Sequence, residues 1–211
     1  MLKINLNNRF VILYLIPFVI GSLSTLSFQP YNLTIINFVI LPIFFYLTIY
    51  INKKSKATYR KKPYKQNLFI FGLLFGFGFH LSGISWIINS LTFDENFKFL
   101  IPFALILIPL FLSLFIAFTI LCVGPHLKLD VSSIIFFSGA LAFSDYLRGK
   151  LLTGFPWNLW AYSASWEVEF LQILNLTGLY TFNLFIIILF VFPAIIFFNI
   201  SAIKKIIYFI F

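Results

Sequence analysis

Nucleophiles and bases are scarce in this sequence: one cysteine, Cys122, and two histidines, His80 and His126. Cys122 and His126 stand four apart, the spacing that on a helix would set a thiol beside a base for covalent catalysis. Gly124-Pro125 lies between them, and proline breaks the helix that such a pairing needs. A thiol in apolar surroundings is also inert. The pair therefore reads as a packing cysteine and a loop histidine, and no catalytic residue is expected in the chain. A single cysteine forms no internal disulfide, and two ligands without partners make no metal site, so neither metal nor cofactor is expected. His80 sits in an apolar run. Imidazoles can relay protons inside membranes, yet no second titratable group lies near it in sequence. A hydrogen-bonded packing role is the expectation.

The stretch from Asp145 to Tyr162 carries more information. Asp145 and Arg148 are three apart, so a helix end can bring them together as an ion pair. At a membrane boundary such a pair is costly unless satisfied, which marks it as a site or a packing lock. Gly154-Phe155-Pro156-Trp157 follows; glycine and proline fix an unusual backbone, and a re-entrant loop beneath the outer surface is expected. Trp160, Tyr162 and Trp166 read as an ordinary aromatic belt.

The elements that must position these residues are membrane helices. Of the 211 residues, 61% are hydrophobic and 10% charged, with a mean hydropathy of +1.01. A soluble domain is roughly half apolar and about a quarter charged, so a soluble enzyme, a disordered tail and a disulfide scaffold are excluded. No formal charge lies between Arg9 and Lys53, room for two crossings of about 20 residues each, with the turn at Ser27-Phe-Gln-Pro-Tyr-Asn32. Crossings are expected at about residues 10–26, 33–51, 68–88, 99–122, 131–147 and 170–198, the last bending near Pro193. The fold class is thus all-α, a polytopic bundle of about six spans. Residues 1–205 form the transmembrane domain, and 206–211 begin a truncated seventh span.

Seven basic side chains, Lys53, Lys54, Lys56, Arg60, Lys61, Lys62 and Lys65, fill residues 52–67 without an acid. Short cytoplasmic loops retain Lys and Arg. With the N-terminus cytoplasmic, twelve basic residues lie inside and three, Lys98, Arg148 and Lys150, outside. The +9 charge is therefore a topology signal, and nucleic acid is not an expected partner. Gly72, Gly76 and Gly83 supply small notches at which helix backbones approach. A lipid-facing groove is the alternative use of the same notches.

Four blocks, in order, carry a family resemblance: Phe28-Gln-Pro-Tyr31; Gly72, Phe75-Gly-Phe-Gly78, Gly83 and Trp86; Tyr146-Leu-Arg-Gly149 with Thr153-Gly-Phe-Pro-Trp157; and Gly178 with Asn183-Leu184. Through them the chain resembles the membrane part of apolipoprotein N-acyltransferase. The resemblance implies a multi-pass protein of the bacterial inner (cytoplasmic) membrane. It implies transfer of an acyl chain from a phospholipid to the N-terminal diacylglyceryl-cysteine of an apolipoprotein. In the family a periplasmic nitrilase-like domain supplies a Glu–Lys–Cys triad, and its cysteine carries the acyl group as a thioester. That domain follows a seventh helix, so this chain is expected to be inactive alone and a separately encoded nitrilase-like domain is a candidate partner. Cys122 matches the family nucleophile neither in context nor in side of the membrane. Asp145 stands where the family usually has Glu. By resemblance Arg148, Phe155, Pro156 and Trp157, with Trp86 at the same level, bind or shape the lipid substrate at the outer mouth. A small transporter or channel, with His80 as its intramembrane titratable group, and a non-catalytic membrane scaffold are the alternatives.

Overall fold

The computed structural model describes residues 10–58, 63–151, 154–165 and 167–198. The expected start of a seventh span at 206–211 lies outside them. So do Lys3, Arg9, Arg60, Lys61, Lys62, Thr153, Trp166, Lys204 and Lys205. Among the described residues the regular elements are all helical. The principal helices are α1 (Ile16–Ser24), α2 (Asn37–Thr58), α3 (Tyr64–Ile84), α4 (Ile101–Val123), α5 (Val131–Lys150), α6 (Val168–Thr177) and α7 (Leu179–Val191).

Among the described residues four segments are long and apolar enough to cross a membrane: Thr34–Lys56, Tyr64–Thr92, Glu95–His126 and Leu179–Phe197. Val11–Ser27, which contains α1, is a shorter apolar helix. The remaining expected crossing, the fifth in chain order, is α5, whose 20 residues would reach about 30 Å at ~1.5 Å per residue. Its sequence is less apolar because it buries Ser133, Ser138, Ser144, Asp145 and Arg148. These polar side chains are turned into the bundle, as polar groups at membrane depth must be.

The last span differs from its expectation. One bent helix over 170–198 is replaced by two, because Gly178 at φ +76° ends α6 and starts α7. That left-handed conformation suits glycine and cannot continue a helix. At Pro193 the chain tightens into the 3-10 turn Phe192–Phe197, and only from Leu179 onward does it form a span.

Helix association in lipid cannot draw on transfer of apolar surface from water, so close packing has to supply it. The glycines of α3 do this on two sides. A Cβ on Gly72 or Gly76 would lie 2.9 Å from Ile120 or Ser113 of α4. On the other side a Cβ on Gly78 would lie 2.2 Å from the Phe18 carbonyl oxygen of α1. Gly21 of α1 faces α3 in return, and a Cβ there would lie 2.1 Å from the Phe75 carbonyl oxygen. The notches are filled by protein, so they serve packing and leave no lipid groove on α3. Fully buried Phe44 lies stacked on Phe75 with centroids 3.8 Å apart, and Phe71 and Phe137 close around it.

Connections alternate between the two ends of the bundle. At one end Thr34 bonds to Ser163 and Gly83 abuts Asn158. At the other, Gly124 packs on Thr48 and Leu68, and Asn67 bonds to Ser55.

Candidate functional site

The end that gathers Thr34, Gly83 and Asn158 also holds the loop after α5. Helix α5 brings Asp145 and Arg148 to its last turn on one buried face, their side chains 6% and 2% exposed. Arg148 Nη2 donates to Asp145 Oδ1 at 3.0 Å. Its Nη1 donates to two loop carbonyls, Phe155 O at 2.8 Å and Trp157 O at 2.6 Å. The planar guanidinium thus clamps helix and loop together, a task suited to its rigid fork of donors. The second carboxylate oxygen accepts from Asn183 Nδ2 at 2.9 Å, and Asn183 Oδ1 accepts from the Ala161 N–H at 2.9 Å. A buried ion pair is tolerable when its remaining lone pairs are satisfied in this way. One network therefore spans α5, the loop and α7.

The loop returns on α5 because glycine stands at two places. Gly154, at φ +71°, turns the chain so that the Phe155 N–H donates to the Arg148 carbonyl at 3.0 Å. A Cβ on Gly149 would lie 2.0 Å from the Tyr180 hydroxyl, so a larger residue there would displace the Tyr180 ring. Below the loop a second polar set ties it to the α1–α2 turn. Trp160 Nε1 donates to Ser24 Oγ at 3.4 Å, Ser24 Oγ donates to Asn37 Oδ1 at 2.7 Å, and Asn37 Nδ2 donates to Ser27 Oγ at 2.7 Å.

Of the five residues expected to meet substrate, Trp86 and Trp157 are each 50% exposed and meet edge to face with centroids 5.4 Å apart. Phe155 lies 6.3 Å from Trp157, ring to ring, and it and Pro156 are half-buried. Arg148 is in the layer beneath, its donors turned to the loop carbonyls and Asp145. The arrangement is an apolar aromatic rim over a charged clamp.

Trp160 departs from the aromatic-belt expectation. It is 1% exposed and stacks on Phe79 with centroids 5.0 Å apart, because its indole N–H finds Ser24 inside the bundle. His80 departs as well: it is buried, but neither ring nitrogen has a hydrogen-bond partner in the protein. The Asn158 Nδ2, seated 1.9 Å from where a Gly83 Cβ would be, has none either. Cys122 and His126 are separated by the end of α4 at Val123 and the turn Gly124–His126. Sequence reasoning assigned no role to Asn183 or Asn37. The available signal was the cost of a carboxamide in an apolar helix, which requires a buried partner.

Residues 20–192 match a family model described as the apolipoprotein N-acyltransferase N-terminal domain. An apolipoprotein N-acyltransferase of Rhodopseudomonas palustris is 30% identical over 176 residues, 83% of this chain and 32% of that protein. One from Rickettsia typhi is 33% identical over 175 residues, 82% of this chain and 32% of the relative. One from Bradyrhizobium diazoefficiens is 29% identical over 181 residues, 85% and 33% respectively. The chain spans about a third of the length of the curated relatives it matches.

Proposed function

The chain belongs to the apolipoprotein N-acyltransferase family, and from that premise we propose that it acts as the family's membrane part. It holds lipid substrate at the outer face of a bacterial inner membrane, while a nitrilase-like domain performs acyl transfer. The donor is a phospholipid and the acceptor the N-terminal diacylglyceryl-cysteine of an apolipoprotein. The acyl carbon leaves an ester oxygen for a cysteine sulfur of that domain and then moves to the acceptor amine nitrogen, as in covalent catalysis generally. The observation that carries this reading is the exposed Trp86–Trp157 edge held over the Arg148 clamp. Aromatic rims sit where acyl chains meet head groups, and a fixed loop backbone lets such a rim hold a tail in one place.

The 211 residues are expected to transfer no acyl group by themselves. Purified chain, mixed with a phospholipid and a diacylglyceryl-cysteine peptide, should give no N-acylated peptide by mass spectrometry. Adding a separately expressed nitrilase-like domain should restore transfer, and Trp86→Ala with Trp157→Ala should raise KM for the lipid more than it lowers kcat. Transfer by the chain alone would overturn the division of labour. Failure of the added domain both to bind and to restore transfer would overturn the membrane-part reading.

A further inference from the structure

Away from the aromatic rim, α4 and α5 enclose a cleft of about 510 Å³. Its walls are apolar: Phe111, Phe115, Phe118 and Cys122 on α4, and Ala140, Phe143 and Leu147 on α5. The two helices bound it unequally. On its α3 side α4 is locked by the Gly72 and Gly76 contacts. On its α5 side it faces Ala140 and Phe143 across the cleft.

The run from Phe111 to Cys122 covers roughly 16 Å at ~1.5 Å per residue. That is about half of a hydrocarbon core ~30 Å thick, the depth of one leaflet and so of one acyl tail. The cleft ends at Cys122 and Val123, where α4 gives way to the turn that carries exposed His126 and Lys128. The backbone here is fixed, since the Lys128 N–H donates to Ser133 Oγ at 2.9 Å. One acid is present, Asp130, and its carboxylate is engaged by the Ser133 N–H at 2.7 Å. The rim of the cleft therefore offers cationic and proton-donating side chains beside a tail-length apolar slot.

We propose that the α4–α5 cleft retains one anionic phospholipid, a tail in the slot and its head group at Lys128 and His126. The head-group end of the cleft, at Lys128 and His126, lies at the opposite end of the bundle from the Trp86–Trp157 rim. Its lipid is a bound component of the bundle and is separate from the acyl donor.

Native mass spectrometry of the whole chain in detergent tests it, with phosphatidylglycerol or phosphatidylcholine of identical tails added. One phosphatidylglycerol per chain is expected, retained several-fold more than phosphatidylcholine. Ala140→Phe, which fills the slot, should reduce retention of both lipids. His126→Gln with Lys128→Gln, both on the surface, should abolish the preference and leave weak retention of either. Cys122, the chain's single cysteine, supplies a readout independent of those variants. Its maleimide labelling should slow several-fold with phosphatidylglycerol and less with phosphatidylcholine. Equal retention of the two lipids, an unaffected Ala140→Phe, or labelling indifferent to phosphatidylglycerol would each overturn the proposal.

Discussion

Arg148 makes three hydrogen bonds to three different chain positions, Asp145, Phe155 and Trp157, and that geometry decides what substitutions there do. Arg148→Ala would leave the Asp145 carboxylate buried with Asn183 as its remaining partner. Breaking a buried pair from one side costs about 3–5 kcal/mol. Arg148→Lys keeps the charge, but an ammonium cannot reproduce the fork, so the loop should loosen while the bundle survives. Removing both charges in Asp145→Ala/Arg148→Ala should cost less than Arg148→Ala alone, because no unpaired charge remains. Thermal unfolding in detergent would order the three variants, and a double variant less stable than Arg148→Ala would refute the buried-pair account. The i,i+3 spacing made the Asp145–Arg148 pairing readable in the sequence. Asn183 lies 38 positions from its partner, and no local pattern announces a contact made only when α7 packs on α5. Trp160 misleads for the same reason: beside Trp157 it reads as interfacial, and only the distant Ser24 accounts for its burial.

Helices α1, α3 and α4 are joined through glycines, and the two kinds of glycine in the chain should respond oppositely to alanine. At Gly21 and Gly78 the added Cβ meets backbone oxygen at 2.1 and 2.2 Å, so α1 must move off α3. Overpacking of this sort costs about 1–3 kcal/mol, and Gly21→Ala and Gly78→Ala should each lower Tm. Gly139 meets nothing, and Ala is favoured over Gly in a helix interior by about 1 kcal/mol; Gly139→Ala should hold or raise Tm. Equal effects at Gly78 and Gly139 would show that close approach is not what joins α1 to α3. The start of α5 was legible from hydropathy alone, and the structure adds a cap there. Asp130 accepts the Ser133 N–H, which holds its carboxyl below the usual range, and α5 begins at Val131 as expected. The break at Gly178 was not legible. Apolar character continues through it, so hydropathy sees one span, and the positive φ is a property of one residue that composition does not register.

At the scale of the whole molecule, the alternation of its ends and the distribution of charge address different questions. The contacts Thr34–Ser163 and Gly83–Asn158 at one end, and Gly124–Thr48 and Asn67–Ser55 at the other, fix which loops share a side. They do not say which side faces the cytoplasm. The charge pattern does: Lys53, Lys54, Lys56 and Lys128 share the Gly124 end, whereas Asp94, Glu95, Glu167 and Glu169 lie with the aromatic rim. Lys and Arg are retained on the cytoplasmic side, and acids contribute little to the choice. The rim is therefore expected to face outward, the side on which a periplasmic catalytic domain would meet it. In a Cys122→Ser background, a cysteine placed at exposed Asn96 should react with a membrane-impermeant maleimide in intact spheroplasts. One placed at exposed Lys54 should react only after permeabilisation. The reverse pattern would put the aromatic rim in the cytoplasm and remove the site from the lipoproteins it is proposed to serve. Labelling of both positions in intact cells would instead contradict the alternation of ends. The two outcomes separate an error in orientation from an error in the fold.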